Sequence, residues 1–204
     1  MSTISTVIFD VGGVLVRTED RRPRTMLADA FGMSDRELED LVFNSESGAA
    51  AQRGERTAAE HWAWVRDRLA LKEDEMDLVR DTFFSGDVLD AELLAFIRRL
   101  QDRYRLAIIT NALDDARRAL NEKFRLGGLF DPIVVSAEEK LMKPDERIYR
   151  IALERIGIEA GEAVFVDDFP ENVRAAKAIG MQTVWFRGRE QTIRALRALL
   201  EPAP

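Results

Sequence analysis

The chain of 204 residues contains no cysteine and a single histidine, His61. Disulfides, thiolate nucleophiles and cysteine-bound zinc or iron–sulfur centres are therefore excluded. A metal site built from clustered histidines needs more than one imidazole, and a serine–histidine triad would depend on His61 alone. Long apolar runs are missing too, since none approaches the roughly 20 residues that span a bilayer. Residues Val7 to Val16 are too short a stretch for an export signal and are interrupted by Asp10, Gly12 and Gly13, with no basic region ahead of them. A cytoplasmic protein is expected. Positive charge is in deficit, with 30 Lys and Arg against 37 Asp and Glu and a net charge of −7. Neither nucleic acid nor a membrane is expected as a partner. Carboxylates, hydroxyls, amides and lysines remain to carry chemistry, and clustered Asp points to a hard divalent cation.

What is present is a globular balance of 46% apolar and 33% charged residues, enough to bury one core with a modest appendage. Four short apolar runs rich in β-branched residues stand out at Thr6–Asp10, Leu106–Thr110, Ile133–Ser136 and Ala163–Asp167, with a fifth at Thr183–Phe186. Helical spacing of apolar residues marks Asp90–Gln101, Leu113–Leu126, Pro144–Ile156 and Pro170–Ile179. Apolar strands alternating with helices predict an α/β fold, a Rossmann-like parallel sheet with helices on both faces. From Arg17 to Gly86 that rhythm stops and no strand is legible. Capping-box patterns at Ser34-Asp-Arg-Glu37 and Thr57-Ala-Ala-Glu60, and Trp62, Val65 and Leu69 on one face, predict successive helices. The expected organisation is a core of residues 1–16 and 87–204, with an all-α cap subdomain, 17–86, inserted after the first strand.

Ligands of open parallel sheets bind outside the carboxyl ends of the strands, so those ends carry the functional signal. Asp10 ends the first strand and is followed by paired glycines. It is either a turn-forming cap or a rigidly held carboxylate beside a bend where backbone approaches an anion, and the glycines favour the second. Asp167 and Asp168 put two adjacent carboxylates at a strand end, where repulsion is costly unless a cation lies between them; helix capping accounts for only one. Thr110-Asn111 offers a hydroxyl, an amide and backbone N–H groups, and Lys143 precedes Pro144 at a helix start. Taken singly, these last two read as a turn and a surface lysine; their order on successive strands makes the set specific.

That order resembles the haloacid dehalogenase-like superfamily, whose motifs are a strand-end Asp, a strand-end Ser or Thr, a Lys and an acidic pair. The resemblance covers nearly the whole chain, through Phe9-Asp-Val-Gly-Gly-Val-Leu15, Ile109-Thr-Asn111, Lys143-Pro-Asp145 with Ile148-Tyr149, and Val166-Asp-Asp168 with Asn172, Ala176 and Gly180-Met181. The helical insert is similar to that superfamily's small α-helical cap, and the chain looks closest to bacterial sugar-phosphate phosphatases and the phosphatase domain of soluble epoxide hydrolase. The resemblance implies a Mg²⁺-dependent phosphatase of small phosphorylated metabolites. Asp10 would form an aspartyl phosphate; Asp10, the Gly12 carbonyl and Asp168 would hold Mg²⁺, with Asp167 a ligand or a group behind one. Thr110, the Asn111 backbone and Lys143 would bind the phosphoryl group. Arg53, beside Gly54 between cap helices, is a candidate substrate contact.

Two residues depart from the pattern. The phosphatases usually carry a general-acid Asp two residues after the nucleophile, where this chain has Gly12; Glu19, Asp20, Glu46 and His61 are the candidate substitutes. Relatives usually have Gly where this chain has Lys140. His61, in the first turn of its helix beside Trp62, is expected to be partly exposed. Rival readings are a dehalogenase, which needs no metal and would leave Asp167-Asp168 uncompensated, and a non-catalytic phosphate- or protein-binding homologue, which Gly12 favours.

Overall fold

The computed structural model of the chain describes residues 3–200. Residues 1–2 and 201–204 of the expected core segments lie outside the described residues. In chain order, β1 (Thr6–Phe9) leads to a short strand, β2 (Val16–Thr18), and five helices: α1 (Arg22–Ala30), α2 (Asp35–Glu39), α3 (Glu46–Gln52), α4 (Ala58–Arg68) and α5 (Glu73–Phe83). A second short strand, β3 (Asp87–Leu89), returns to α6 (Ala91–Leu100), β4 (Arg105–Thr110), α7 (Ala116–Glu122), β5 (Ile133–Val135) and the single turn α8 (Ser136–Glu139). Then come α9 (Glu146–Ile156), β6 (Ala163–Asp167), α10 (Pro170–Ala178), β7 (Gln182–Trp185) and α11 (Arg189–Leu200).

Five strands form one sheet in the order β5-β4-β1-β6-β7, and every pairing is parallel. The strands read as unbroken apolar runs because both faces are covered, and the two-residue alternation divides them between two cores. Val7, Phe9, Ile108, Val164 and Val166 pack with α6 and α11, through Leu93, Ile97 and Leu196. Ile8, Ala107, Ile109 and Phe165 face the other way, onto Ile148, Tyr149, Ala152 and Ala176 of α9 and α10. The α/β expectation and the five strand positions hold, with ends shifted by a residue or two: Ser136 opens α8 rather than ending β5, and α7 is shorter than its periodic stretch.

A third core belongs to the helical insert and gathers Ala28, Leu38, Val42, Trp62, Val65 and Phe83. Both expected capping boxes are formed: Glu37 Oε2 accepts from the Ser34 N–H at 2.8 Å, and Glu60 Oε2 from the Thr57 N–H at 2.7 Å. Two readings need correction. The stretch thought strandless from Arg17 includes most of β2, which pairs antiparallel with β3 in a ribbon too short to leave a periodic signal. His61 is fully buried rather than partly exposed. It lies one turn before Val65 and three residues after Ala58, on the stripe that faces the insert's core, and its Nδ1 meets the Ser47 hydroxyl at 3.0 Å. Among the described residues no helix is long and apolar enough to cross a membrane.

Candidate active site

Asp10 follows the central strand, and parallel pairing on both sides sets its neighbours. Phe9 is level with Ile108 of β4 and Val166 of β6, and the Asp10 N–H donates to the Val166 carbonyl at 2.9 Å. The next residues of the flanking strands bring Thr110 to one side of Asp10 and the Asp167-Asp168 pair to the other. Asp10, Thr110, Lys143 and Asp167 are all buried.

Lys143 binds the cluster together. Its Nζ lies 2.8 Å from Asp10 Oδ1 and 2.7 Å from Asp167 Oδ2, with its side chain wholly buried. Asp10 Oδ1 also accepts the Val11 N–H at 2.7 Å. The loop that delivers Lys143 is clasped by Asn111, whose side chain donates to the Lys143 carbonyl at 2.9 Å and accepts the Lys143 N–H at 2.8 Å. Lys140 ends α8 in the left-handed conformation, φ +55°, which is the backbone state that favours Gly at this place. The loop therefore keeps the glycine geometry without the glycine.

The two adjacent acids have different surroundings. Asp167 accepts from Lys143, from the Phe169 N–H at 2.8 Å and from the Asn172 amide at 3.1 Å, so its oxygens are engaged. Asp168 Oδ1 is buried with no hydrogen-bond partner. Gly13, at φ +76°, lies so close that a Cβ there would stand 2.2 Å from Asp168 Oδ2. Carboxylate oxygens of Asp10, Asp167 and Asp168 all fall within 4.8 Å of one another. Burial pushes the Asp10 carboxyl up to about 7, with Lys143 opposing and the other two aspartates adding to the rise. Burial and then Asp167 push Asp168 up to about 6. Three carboxylates against one ammonium, one of them with an unsatisfied buried oxygen, are a set of hard donors that a divalent cation of the Mg²⁺ type fits.

A cleft between insert and sheet exposes this cluster; Asp10, Gly12, Thr110, Asn111, Lys143 and Asp168 are in its wall. Arg53 is not brought to it: its guanidinium pairs with Glu55 at 2.7 Å, and Gly54 presses on the Ala137 carbonyl instead of swinging over the site. Nor do the four candidate acids reach it. His61 is inside the insert's core, Glu19 pairs with Arg17, Asp20 with Arg22, and Glu46 sits in the exposed first turn of α3. The Asp20 carboxyl is held down at about 2, chiefly by the Arg22 hydrogen bond, too acidic to serve as a proton donor at neutral pH. Sequence reasoning gave no part to Arg24, a buried guanidinium in the cleft wall that joins Glu39 to Asp87. Its only signal was an arginine within an amphipathic helix, which the sequence alone cannot tell from a surface residue.

A parallel sheet whose central strand ends in a buried carboxylate, beside a lysine and an acidic pair, is an α/β architecture with its candidate site at the carboxyl ends of the strands. A family model for haloacid dehalogenase-like hydrolases matches residues 4–180, and the chain belongs to that family. Over 202 residues it is 29% identical to the sesquiterpene phosphatase astK of Aspergillus oryzae, covering 98% of each chain. The solved structure of a HAD-like family hydrolase from Porphyromonas gingivalis superposes with TM-score 0.80 at 23% identity, over 99% of this chain and 100% of that one. The enzyme bt-2542 of Bacteroides thetaiotaomicron, solved with magnesium and inorganic phosphate, gives TM-score 0.74 at 21% identity, over 89% of this chain and 93% of that one.

Proposed function

We propose that this hydrolase is a Mg²⁺-dependent cytoplasmic phosphatase of small phosphomonoesters, acting through an aspartyl phosphate, with residues 17–86 as its cap. The observation that carries the reading is Lys143 bridging Asp10 and Asp167 beside the unpartnered oxygen of Asp168. The phosphatase name of the full-length relative supports it, as does the magnesium and phosphate complex of bt-2542. A dehalogenase reading leaves the Asp168 oxygen without a purpose.

Asp10 and Asp168 would hold the Mg²⁺, with the Gly12 carbonyl, and the ion would supply charge neutralisation for the phosphoryl oxygens. Asp167 acts through Lys143, since its own oxygens are already engaged. Two hydrogen bonds fall on Asp10 Oδ1, which leaves Oδ2 to attack. A bond forms from Oδ2 to phosphorus as the bond to the leaving oxygen breaks, and that oxygen takes a proton from water in the cleft as it departs. Water then attacks the same phosphorus, releasing phosphate and restoring the carboxylate. Thr110, the Asn111 N–H and Lys143 would hold the phosphoryl oxygens, so that catalysis is mostly positioning and charge stabilisation. Phosphate release from p-nitrophenyl phosphate and a panel of phosphorylated metabolites, with and without Mg²⁺, tests the reading. Silence across the panel from folded, Mg²⁺-loaded protein would turn the assignment towards a non-catalytic binder.

A further inference from the structure

Beyond the carboxylates the cleft continues into a second cavity of about 880 Å³. Gly12, Gly13, Thr110 and Asn111 belong to its wall and also to the wall around Asp10 and Lys143, so the two spaces meet where the phosphoryl group would be held. A phosphate bound at Asp10 therefore sends the rest of its molecule this way.

Away from that shared edge the exposed wall is mostly apolar, with Val42, Trp62 and Phe84 from the insert and Leu113, Ala119 and Phe124 from the sheet side. Arginines also line the cavity, but they are engaged. Arg24 spans Glu39 and Asp87 at 2.8 and 2.7 Å, Arg17 holds Asp90 at 2.8 Å, and Arg80 holds Asp77 at 2.9 Å. Lys123, over the Phe124 ring, and the acids Asp81 and Asp115 are further charged groups of the wall, but along the apolar stretch the hydroxyls of a sugar would lose water against rings and methyl groups without recovering their hydrogen bonds. The volume lies within the roughly 300–1,000 Å³ of sites that enclose a whole small molecule.

We propose that the substrate is a phosphomonoester of a long apolar alcohol, its phosphate at Asp10 and its hydrocarbon chain in this cavity. The proposal rests on the phosphatase reading and narrows it, from small phosphomonoesters in general to hydrocarbon phosphates.

Primary n-alkyl phosphates from butyl to decyl isolate the effect, because their leaving alkoxides have the same basicity and only apolar length varies. With Mg²⁺ present, kcat/KM rises up to about fourfold per added methylene and levels off when the cavity is full. Ala119→Trp, which fills part of the wall, makes the rise stop at a shorter chain; Leu113→Gln, a gentler change, lowers its slope. A flat series from an enzyme that cleaves p-nitrophenyl phosphate overturns the hydrocarbon assignment and leaves the phosphatase reading standing. Calorimetric binding of the matching n-alkylphosphonates, below their micelle concentrations, needs no turnover. If no phosphate ester is cleaved, the phosphatase reading fails, and affinity independent of chain length overturns the cavity assignment as well. Affinity that climbs with chain length, and climbs less in Leu113→Gln, upholds the apolar site on its own.

Discussion

Gly12→Asp places a carboxylate two residues beyond Asp10, where phosphatases of this family usually keep the acid that protonates the leaving group. Space is not an obstacle. A Cβ at Gly12 would meet no heavy atom within 4 Å outside its chain neighbours, whereas one at Gly13 would collide with Asp168. Gly12 is also exposed to the cleft, so the new carboxylate keeps much of its hydration. A positioned general acid contributes about 10² to 10⁴ in rate, or about 2.7 to 5.4 kcal/mol of barrier. That benefit falls on substrates whose leaving oxygen is strongly basic. Wild type should therefore cleave aryl phosphates faster than primary alkyl phosphates of similar size by a ratio approaching this factor, and Gly12→Asp should shrink the ratio by raising the alkyl rate. The assay is kcat/KM for matched aryl and alkyl phosphates with saturating Mg²⁺. A wild-type ratio near one, or a folded Gly12→Asp enzyme with the wild-type ratio, would refute the reasoning and place the proton donor elsewhere in the cleft.

Asp10→Asn should abolish phosphate release while leaving the circular dichroism spectrum unchanged; a pure, folded variant that keeps most of its activity shows that Asp10 is not the nucleophile. Burial lowers the pKa of His61 below its usual 6.5, so its stabilising neutrality is complete above that value and is lost as pH falls below it. Urea midpoints at pH 7.5 and 5.5 should accordingly differ more for wild type than for His61→Gln, and an equal difference removes His61 from the account. Lys140→Gly relieves a left-handed residue that costs about 1–2 kcal/mol and returns about 0.4–1 kcal/mol of unfolded-chain entropy. The balance, about 0–1.6 kcal/mol in favour of Gly, is a Tm higher by up to about 6 °C in a thermal scan; a fall in Tm means the Lys140 side chain stabilises the loop in some other way.

The candidate site was legible because its residues stand at the ends of apolar runs: Asp10 after Val7–Phe9, Thr110 at the end of its strand, Asp167 and Asp168 after Val164–Val166. A strand buried on both faces writes itself plainly in sequence, and its end is then found by the first polar residue. The β2–β3 ribbon was hidden because three residues carry no period, and α11 because its amphipathic face follows the last strand without a motif to draw the eye. His61 was misread because a titratable residue in a first turn looks solvent-facing, yet the Trp62–Val65–Leu69 stripe that was recognised runs alongside it. Arg53 was placed over the cleft by its glycine neighbour alone, and a glycine can mark close packing as readily as a hinge. The separate tasks of Asp167 and Asp168 depend on Asn172 and Lys143, whose approach no local pattern encodes.

Both crossings of the chain between insert and sheet run through the β2–β3 ribbon, and Asp87 bolts it further by accepting from Thr18 and Arg24, each at 2.7 Å. At the far side the insert meets the sheet domain where Gly54 rests on the Ala137 carbonyl, where Asp114 Oδ1 accepts the Ala58 N–H at 3.0 Å and where Leu113 packs on the insert's core. In mechanical terms the insert has the parts of a door, a covalent hinge and a noncovalent latch. The latch joins the insert to α8 on the way to the Lys143 loop, while Gly12 and Gly13 stand on the hinge side, where Gly12 bridges to Val16 of β2. A Cβ at residue 54 would press into the Ala137 carbonyl and wedge the door on its latch side, so this one glycine sets how closely insert and sheet can shut.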